Sequence, residues 1–224
     1  MIELAALDIA GTTVEEHGIV YEVLREVVTE AGATPSAADV QRWMGIDKRE
    51  AIAGLVGGAD RAATVDVEQL YGRFAARLAA RYREQPPQPL PGVVETLAAL
   101  RSRGVRVALT TGFGRDVAGP LLAILGWTVG GSAADTVDAL VCADEVAAGR
   151  PAPYLIFRAM ERTGVRRVDR VLVAGDTAAD LEAGTNAGAA VVVGVGTGGY
   201  RLDDLAAAPH THLLPDVTGI LDLL

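Results

Sequence analysis

Carboxylates, threonines and an arginine, each following a short apolar run, are the residues of this chain best suited to handling an anion. The first group is Leu4-Ala5-Ala6-Leu7-Asp8-Ile9-Ala10-Gly11-Thr12-Thr13. An apolar run of that length bounded by a glycine turn reads as a buried parallel strand, with Asp8 at its carboxyl end. Open α/β sheets bind ligands at that end. Gly11, Thr12 and Thr13 add N–H groups and hydroxyls suited to an anion, although a turn or helix cap uses the same residue types. Thr110-Thr111-Gly112 also follows an apolar run and precedes a helix, so it can hold a phosphate oxygen or simply cap that helix. Arg150, in Gly149-Arg150-Pro151, can neutralise an anion, as any surface arginine can. Gly175-Asp176-Thr177-Ala178-Ala179-Asp180 sets two carboxylates four apart across a strand-to-helix turn. That pair suits a hard, oxygen-seeking cation such as Mg2+, or two acids favoured by a helix dipole.

Positioning these groups requires a sheet. From Pro91 onward helices and strands alternate, which predicts a doubly wound, Rossmann-like parallel α/β sheet. Strands are expected at Val105 to Thr110, Ala139 to Cys142, Arg170 to Ala174, Ala189 to Val195 and Thr211 to Leu214, with a last helix closing the chain. The turns after Thr110, Cys142 and Ala174 then face the same edge as Asp8. Residues 15–86 read differently, as four helices: one around Val20, Leu24, Val27 and Val28, a second from Ser36 to Met44, a third from Asp47 to Gly57-Gly58, and a fourth from Val67 to Arg83. A proline cluster, Pro86-Pro87-Gln88-Pro89-Leu90-Pro91, returns the chain to the sheet. The expected organisation is an α/β core of residues 1–14 and 87–224 with an inserted helical cap domain, 15–86.

With 224 residues, half of them hydrophobic, the chain can bury a sizeable core. Its net charge of −9 argues against a nucleic-acid surface, so any phosphate recognition must be local. One cysteine, Cys142, allows no intramolecular disulfide and reads as a core thiol. No apolar run reaches the ~18 to 20 residues of a membrane span, and no signal peptide is evident. The expectation is a cytoplasmic protein without membrane or nucleic-acid partners and with a homodimer as its candidate assembly.

Strand-Asp, strand-Thr, loop-Arg and strand-Gly-Asp, in this order, resemble the haloacid dehalogenase-like hydrolase superfamily over nearly the whole chain. That resemblance implies that Asp8 is a nucleophile forming an aspartyl-phosphate, and that Thr110 binds phosphoryl oxygens, with Thr111 and Gly112 beside it. Arg150 takes a place usually held by lysine. Asp8, the backbone carbonyl of Ala10, Asp176 and Asp180 are implied to hold Mg2+. Phosphatases of the superfamily carry an acid two residues after the nucleophile, where this chain has Ala10. Asp8-Ile9-Ala10-Gly11-Thr12-Thr13 resembles instead the phosphonoacetaldehyde hydrolase branch, as do Thr110-Thr111-Gly112 and Gly149-Arg150-Pro151. Met44-Gly45-Ile46-Asp47-Lys48 resembles that branch's Met-Gly-x-x-Lys, whose lysine forms a Schiff base with the substrate aldehyde.

The two differences belong together chemically. A carbon–phosphorus bond has no bridging oxygen to protonate, so position 10 needs no acid, while the departing carbon needs an electron sink, which an iminium on Lys48 supplies. Such a lysine must have a lowered pKa. Arg42 and Arg49 are candidates to lower it, with Asp47 and Glu50 opposing. The branch has a histidine three residues after the lysine, and here Ala51 stands there. The expected function is cleavage of phosphonoacetaldehyde or a related aldehyde phosphonate, and the expected partner a small phosphonate or phosphate substrate. The alternatives are a phosphatase for a small phosphate ester and a catalytically weak, Mg-binding regulatory protein.

Overall fold

A computed structural model describes residues 1–57 and 65–224. Six strands form one parallel sheet: β1 (Leu4–Asp8), β4 (Arg106–Thr111), β5 (Ala139–Cys142), β6 (Val171–Gly175), β7 (Val191–Val195) and β8 (His212–Leu214). Their spatial order is β5-β4-β1-β6-β7-β8. This is the doubly wound order, in which the direction of winding reverses at the first strand and opens a crevice beside its carboxyl end. Asp8 ends β1 at that point, and Asp176 immediately follows the neighbouring β6.

Alternation along the strands produces two cores, because successive side chains of a strand point to opposite faces. Leu4, Ala6, Ala108, Val141, Val171 and Val173 pack with Leu155, Ile156 and Ala159 of α7 (Tyr154–Thr163) and Ala183 and Ala187 of α8 (Ala178–Ala187). Ala5, Leu7, Val107, Leu109, Leu172 and Ala174 face the other way, toward α5 (Val93–Ser102) and α6 (Arg115–Leu125). Asp8 continues the Leu4-Ala6 face, and its register partner on β4 is Thr110. Both side chains therefore point to the side from which the loop before α7 arrives, carrying Arg150.

The helical stretch comprises α1 (Ile19–Glu30), α2 (Ala37–Arg42), α3 (Lys48–Leu55) and α4 (Val67–Glu84). The third predicted helix ends at Leu55, and Gly58 of its predicted stop lies outside the described residues. Ser36 caps α2 with a reciprocal Ser36–Asp39 capping box, which satisfies two amides at the first turn. Val20, Leu24 and Val28 of α1 and Phe74 and Leu78 of α4 join the same apolar cluster as the α5–α6 side of the sheet. The chain leaves the sheet through β2 (Val14–Glu15) and returns through β3 (Gln88–Pro89), and the two pair antiparallel. Both crossings thus pass through one narrow ribbon.

At the C-terminal end a one-turn helix, α9 (Leu202–Leu205), precedes β8, and the last helix, Val217–Leu223, is of the 3-10 kind. Thr218 and Gly219 are poor α-formers, and the Asp216 carboxylate accepts from the Thr218 amide, holding the tighter turn. Among the described residues no helix is long and apolar enough to cross a membrane.

Candidate active site

The turn after β1 is closed by the amides of Thr13 and Val14, which both donate to the Ile9 carbonyl. Gly11 sits in it at φ 87°, and a Cβ there would lie 2.6 Å from an Asp176 oxygen. Glycine is therefore required twice, by the left-handed backbone and by the carboxylate pressed against it. The carbonyl of Ala10 accepts no hydrogen bond from the described residues.

Arg150 is the hub of the crevice, and only 4% of it is exposed. Its Nη1 lies 2.7 Å from Asp8 Oδ1 and 2.8 Å from Asp180 Oδ1. Its Nη2 donates to the Thr110 carbonyl at 2.9 Å and to the Thr110 hydroxyl at 2.8 Å. A flat guanidinium reaches all of these at once, which a lysine's single ammonium does not. The two threonines thereby separate: Thr110 is held by Arg150, while Thr111 lines the cavity in front of Asp8 and accepts from the Phe113 amide. The Thr110 hydroxyl, expected to bind phosphoryl oxygens, is engaged by Arg150, and Thr111, expected beside it, lines the cavity. The strand's two-residue period turns neighbouring threonines to opposite faces.

Asp8, Asp176 and Asp180 can each direct one oxygen to within 4.8 Å of the others'. They differ in what already binds them. Both oxygens of Asp180 are engaged, one by Arg150 and the other by the amide and hydroxyl of Thr177 in a capping box at the start of α8. Among the described residues Asp176 accepts from Thr12 Oγ1 at 3.0 Å and the Gly199 amide at 3.1 Å. Burial, reinforced by Asp8 and Asp180, raises the Asp176 carboxyl well above its ordinary range. Burial also raises Asp8 to about 7, against the opposing charge of Arg150. Three buried carboxylates against one close arginine leave negative charge uncompensated. That excess and the all-oxygen donors of Asp8, Asp176 and the Ala10 carbonyl fit a hard divalent cation such as Mg2+.

The helical stretch closes this crevice from above. A Cβ on Gly45 would fall 2.3 Å from Thr177 Oγ1, and one on Gly112 would fall 2.6 Å from the Ile46 carbonyl. The Gly45 carbonyl also accepts from Arg150 at 3.3 Å. What remains is a cavity of about 10 Å³, room for about one water, lined by Asp8, Tyr21, Lys48, Thr111, Phe113 and Arg150 among others. Met44 of the Met-Gly-x-x-Lys segment lies against the loop of Gly199, where a Cβ would meet the Met44 sulfur at 2.5 Å.

Lys48 is 3% exposed, at the first position of α3. Its Nζ donates to the Ile46 carbonyl at 2.7 Å and lies 5.7 Å from the ring centroids of both Tyr21 and Phe113. Burial lowers its pKa to about 8, with Arg150 assisting and Asp47, Asp8 and Glu16 opposing. The helpers expected from sequence are elsewhere: Arg42 pairs with Asp39, and Arg49 lies over the Tyr71 ring and pairs with Glu68. Cys142 is buried in β5, and burial pushes its thiol to about 12.

Sequence reasoning did not find Tyr21, Phe113 or the Asp176-binding amide of Gly199. For the first two no local pattern marks them, since an aromatic in an amphipathic helix or after a turn reads as core. Thr177-x-x-Asp180 did carry a readable signal, the spacing of a capping box.

A family model described as haloacid dehalogenase-like hydrolase matches residues 2–188. A phosphonoacetaldehyde hydrolase of Bacillus cereus is 30% identical over 205 residues, covering 84% of this chain and 73% of that protein. The phosphonoacetaldehyde hydrolase of Parabacteroides distasonis is 38% identical over 125 residues, 54% of this chain, and the match spans only 44% of that protein. Among solved structures, a phosphonoacetaldehyde hydrolase-like protein from Oleispira antarctica superposes with a TM-score of 0.80 at 23% identity, covering 99% of this chain and 91% of that one. A β-phosphoglucomutase from Clostridium difficile gives 0.81 at 16% identity, covering 98% and 93%. At those identities the two structures share the fold, with different chemistry named for each.

Proposed function

The chain belongs to the haloacid dehalogenase-like hydrolase family, and from that premise we propose that it cleaves the carbon–phosphorus bond of phosphonoacetaldehyde or a related small aldehyde phosphonate. The observation that carries this reading is Lys48, a nearly fully buried amine lining the same closed cavity as Asp8. Residues 1–14 and 87–224 serve as the catalytic core and 15–86 as its cap. Because the cavity holds about one water, substrate entry requires the cap to lift and catalysis requires it to close over the substrate.

With the cap closed, Lys48 condenses with the aldehyde to an iminium and releases water. Asp8 attacks phosphorus, and the electrons of the carbon–phosphorus bond move into the iminium to give an enamine. Protonation at carbon and hydrolysis free the aldehyde product and Lys48, and water cleaves the aspartyl-phosphate to phosphate. Arg150 holds Asp8 on line, and Thr111 and the Gly112 amide hold phosphoryl oxygens. Asp8, the Ala10 carbonyl and Asp176 would hold Mg2+, which would neutralise phosphoryl charge. Asp180 acts through Arg150 and the start of α8.

Borohydride reduction in the presence of phosphonoacetaldehyde, followed by peptide mapping, tests the reading: the adduct is expected on Lys48. One observation favours a second reading, hydrolysis of a small phosphate ester: Ala51 stands where the resemblance to the phosphonoacetaldehyde hydrolase branch implies a histidine. In that case Ala10→Asp raises ester hydrolysis by about 10²-fold or more and Lys48 is left unmodified by borohydride.

A further inference from the structure

Polar side chains divide unevenly within the cavity. On the core side Asp8, Thr111, Arg150 and Thr177 face it, whereas on the cap side the lining side chains are Lys48 and Tyr21. Position 51, one helical turn beyond Lys48, is a fully buried alanine, and Phe113 offers a ring without a donor. Yet addition of an amine to an aldehyde moves an electron pair onto the carbonyl oxygen, and that oxygen must be stabilised and then leave as water. A site for this chemistry without a proton-bearing group near the lysine would be incomplete.

Tyr21, in the first turn of α1, fills that gap. Its hydroxyl accepts from the Gly45 amide at 3.3 Å, and its own proton is donated to no group among the described residues. The Gly45 bond fixes the phenol against the loop that closes the cavity. The ring centroid lies 5.7 Å from Lys48 Nζ, and both residues line the same small cavity. We propose that Tyr21 contacts the substrate as the hydrogen-bond donor to the aldehyde oxygen, polarising it for attack by Lys48 and steadying it as it departs. The inference rests on the aldehyde-phosphonate reading and adds to it a residue that takes over at the place left empty by Ala51.

The step balances without outside reagents. Ammonium plus aldehyde gives iminium plus water: nitrogen loses two protons, oxygen gains them, and Tyr21 begins and ends as a neutral phenol. Burial, with Asp176, Glu16 and Asp8 adding to it, raises the phenol well above its ordinary range, which suits a group that donates a hydrogen bond and keeps its proton. Preorganised donors aimed at developing oxyanions are typically worth about 10²–10³-fold.

Tyr21→Phe removes the hydroxyl and keeps the ring. The readouts are the rate of borohydride trapping at Lys48 with phosphonoacetaldehyde, and hydrolysis of acetyl phosphate, whose leaving carboxylate needs neither an iminium nor an acid. Trapping slowed by about 10²-fold with acetyl phosphate hydrolysis unchanged is the expected result. Trapping at the wild-type rate overturns the assignment. Equal losses on both substrates, or a lowered unfolding midpoint that accounts for the loss, also overturn it, by reducing Tyr21 to a support for the Gly45 loop. Failure of the wild-type protein itself to be trapped removes the aldehyde-phosphonate reading first, a distinct outcome.

Discussion

On the core wall of the cavity each charged side chain is tied to another: Arg150 binds Asp8, Asp180 and Thr110, and Thr177 holds Asp180. On the cap wall Lys48 has, among the described residues, one hydrogen bond, to a carbonyl two residues away, and two aromatic rings nearby. The core wall is positioned by strand register and helix starts, so its geometry follows from the fold and suits any phosphoryl group. The cap wall is positioned by packing, and its chemistry depends on which side chains stand at a few helix positions. On the proposed reading, phosphoryl-transfer capacity resides in the core and substrate choice in the cap.

Four experiments break or sharpen that contrast. The largest expected effect is that of Asp8→Asn, which removes the nucleophile and should lower turnover by at least about 10³-fold on aldehyde phosphonate and acyl phosphate alike. A residual rate on either substrate within tenfold of wild type would detach the core wall from catalysis. Lys48→Arg comes next: it keeps a cation but forms no imine, so cleavage of the phosphonate should fall by about 10²–10³-fold while acetyl phosphate hydrolysis is retained. Equal loss on both substrates would erase the division of labour between the walls.

The third prediction is a pH profile. With the Lys48 pKa lowered to about 8, the amine is protonated below that value, so the rate of borohydride trapping should rise about tenfold per pH unit up to about 8 and then level off. Trapping that keeps rising toward pH 10 would mean that burial does not lower this amine. The smallest effect is expected from Gly45→Ala. Its backbone is left-handed at φ 76°, and the new methyl meets Thr177 Oγ1 at 2.3 Å. Strain of about 1–2 kcal/mol should weaken closure, seen as a raised KM for both substrates with the Asp8 chemistry intact. An unchanged KM would show that this contact is not part of the working closed state.

Much of this molecule was readable before any coordinates. Asp8 at a strand end, the alternation of strands and helices after Pro91, the Ser36 cap and the helical stretch between the two crossings all depend on neighbours within a few residues. Lys48 and Ala10 were readable through a family resemblance, together with the electron-sink argument that links them. Less legible were the roles of adjacent residues of one type. Thr110 and Thr111 are alike in sequence, yet one is bound by Arg150 and the other faces the cavity. Asp176 and Asp180 look like a matched pair, yet the second is occupied at both oxygens.

By itself the sequence determined the sheet, the place of Asp8 at a strand end and the presence of a helical insertion, because periodicity, turn residues and caps act locally and each leaves a pattern in the chain. Only the tertiary structure decided that burial and Arg150, rather than Arg42 or Arg49, lower the Lys48 pKa, that Thr111 rather than Thr110 lines the cavity, and that Tyr21 stands beside Lys48. Desolvation and Coulomb interaction depend on distances through space, and the groups that set them here come from α1, α3 and the turns after β1, β5 and β6, which folding brings to one point.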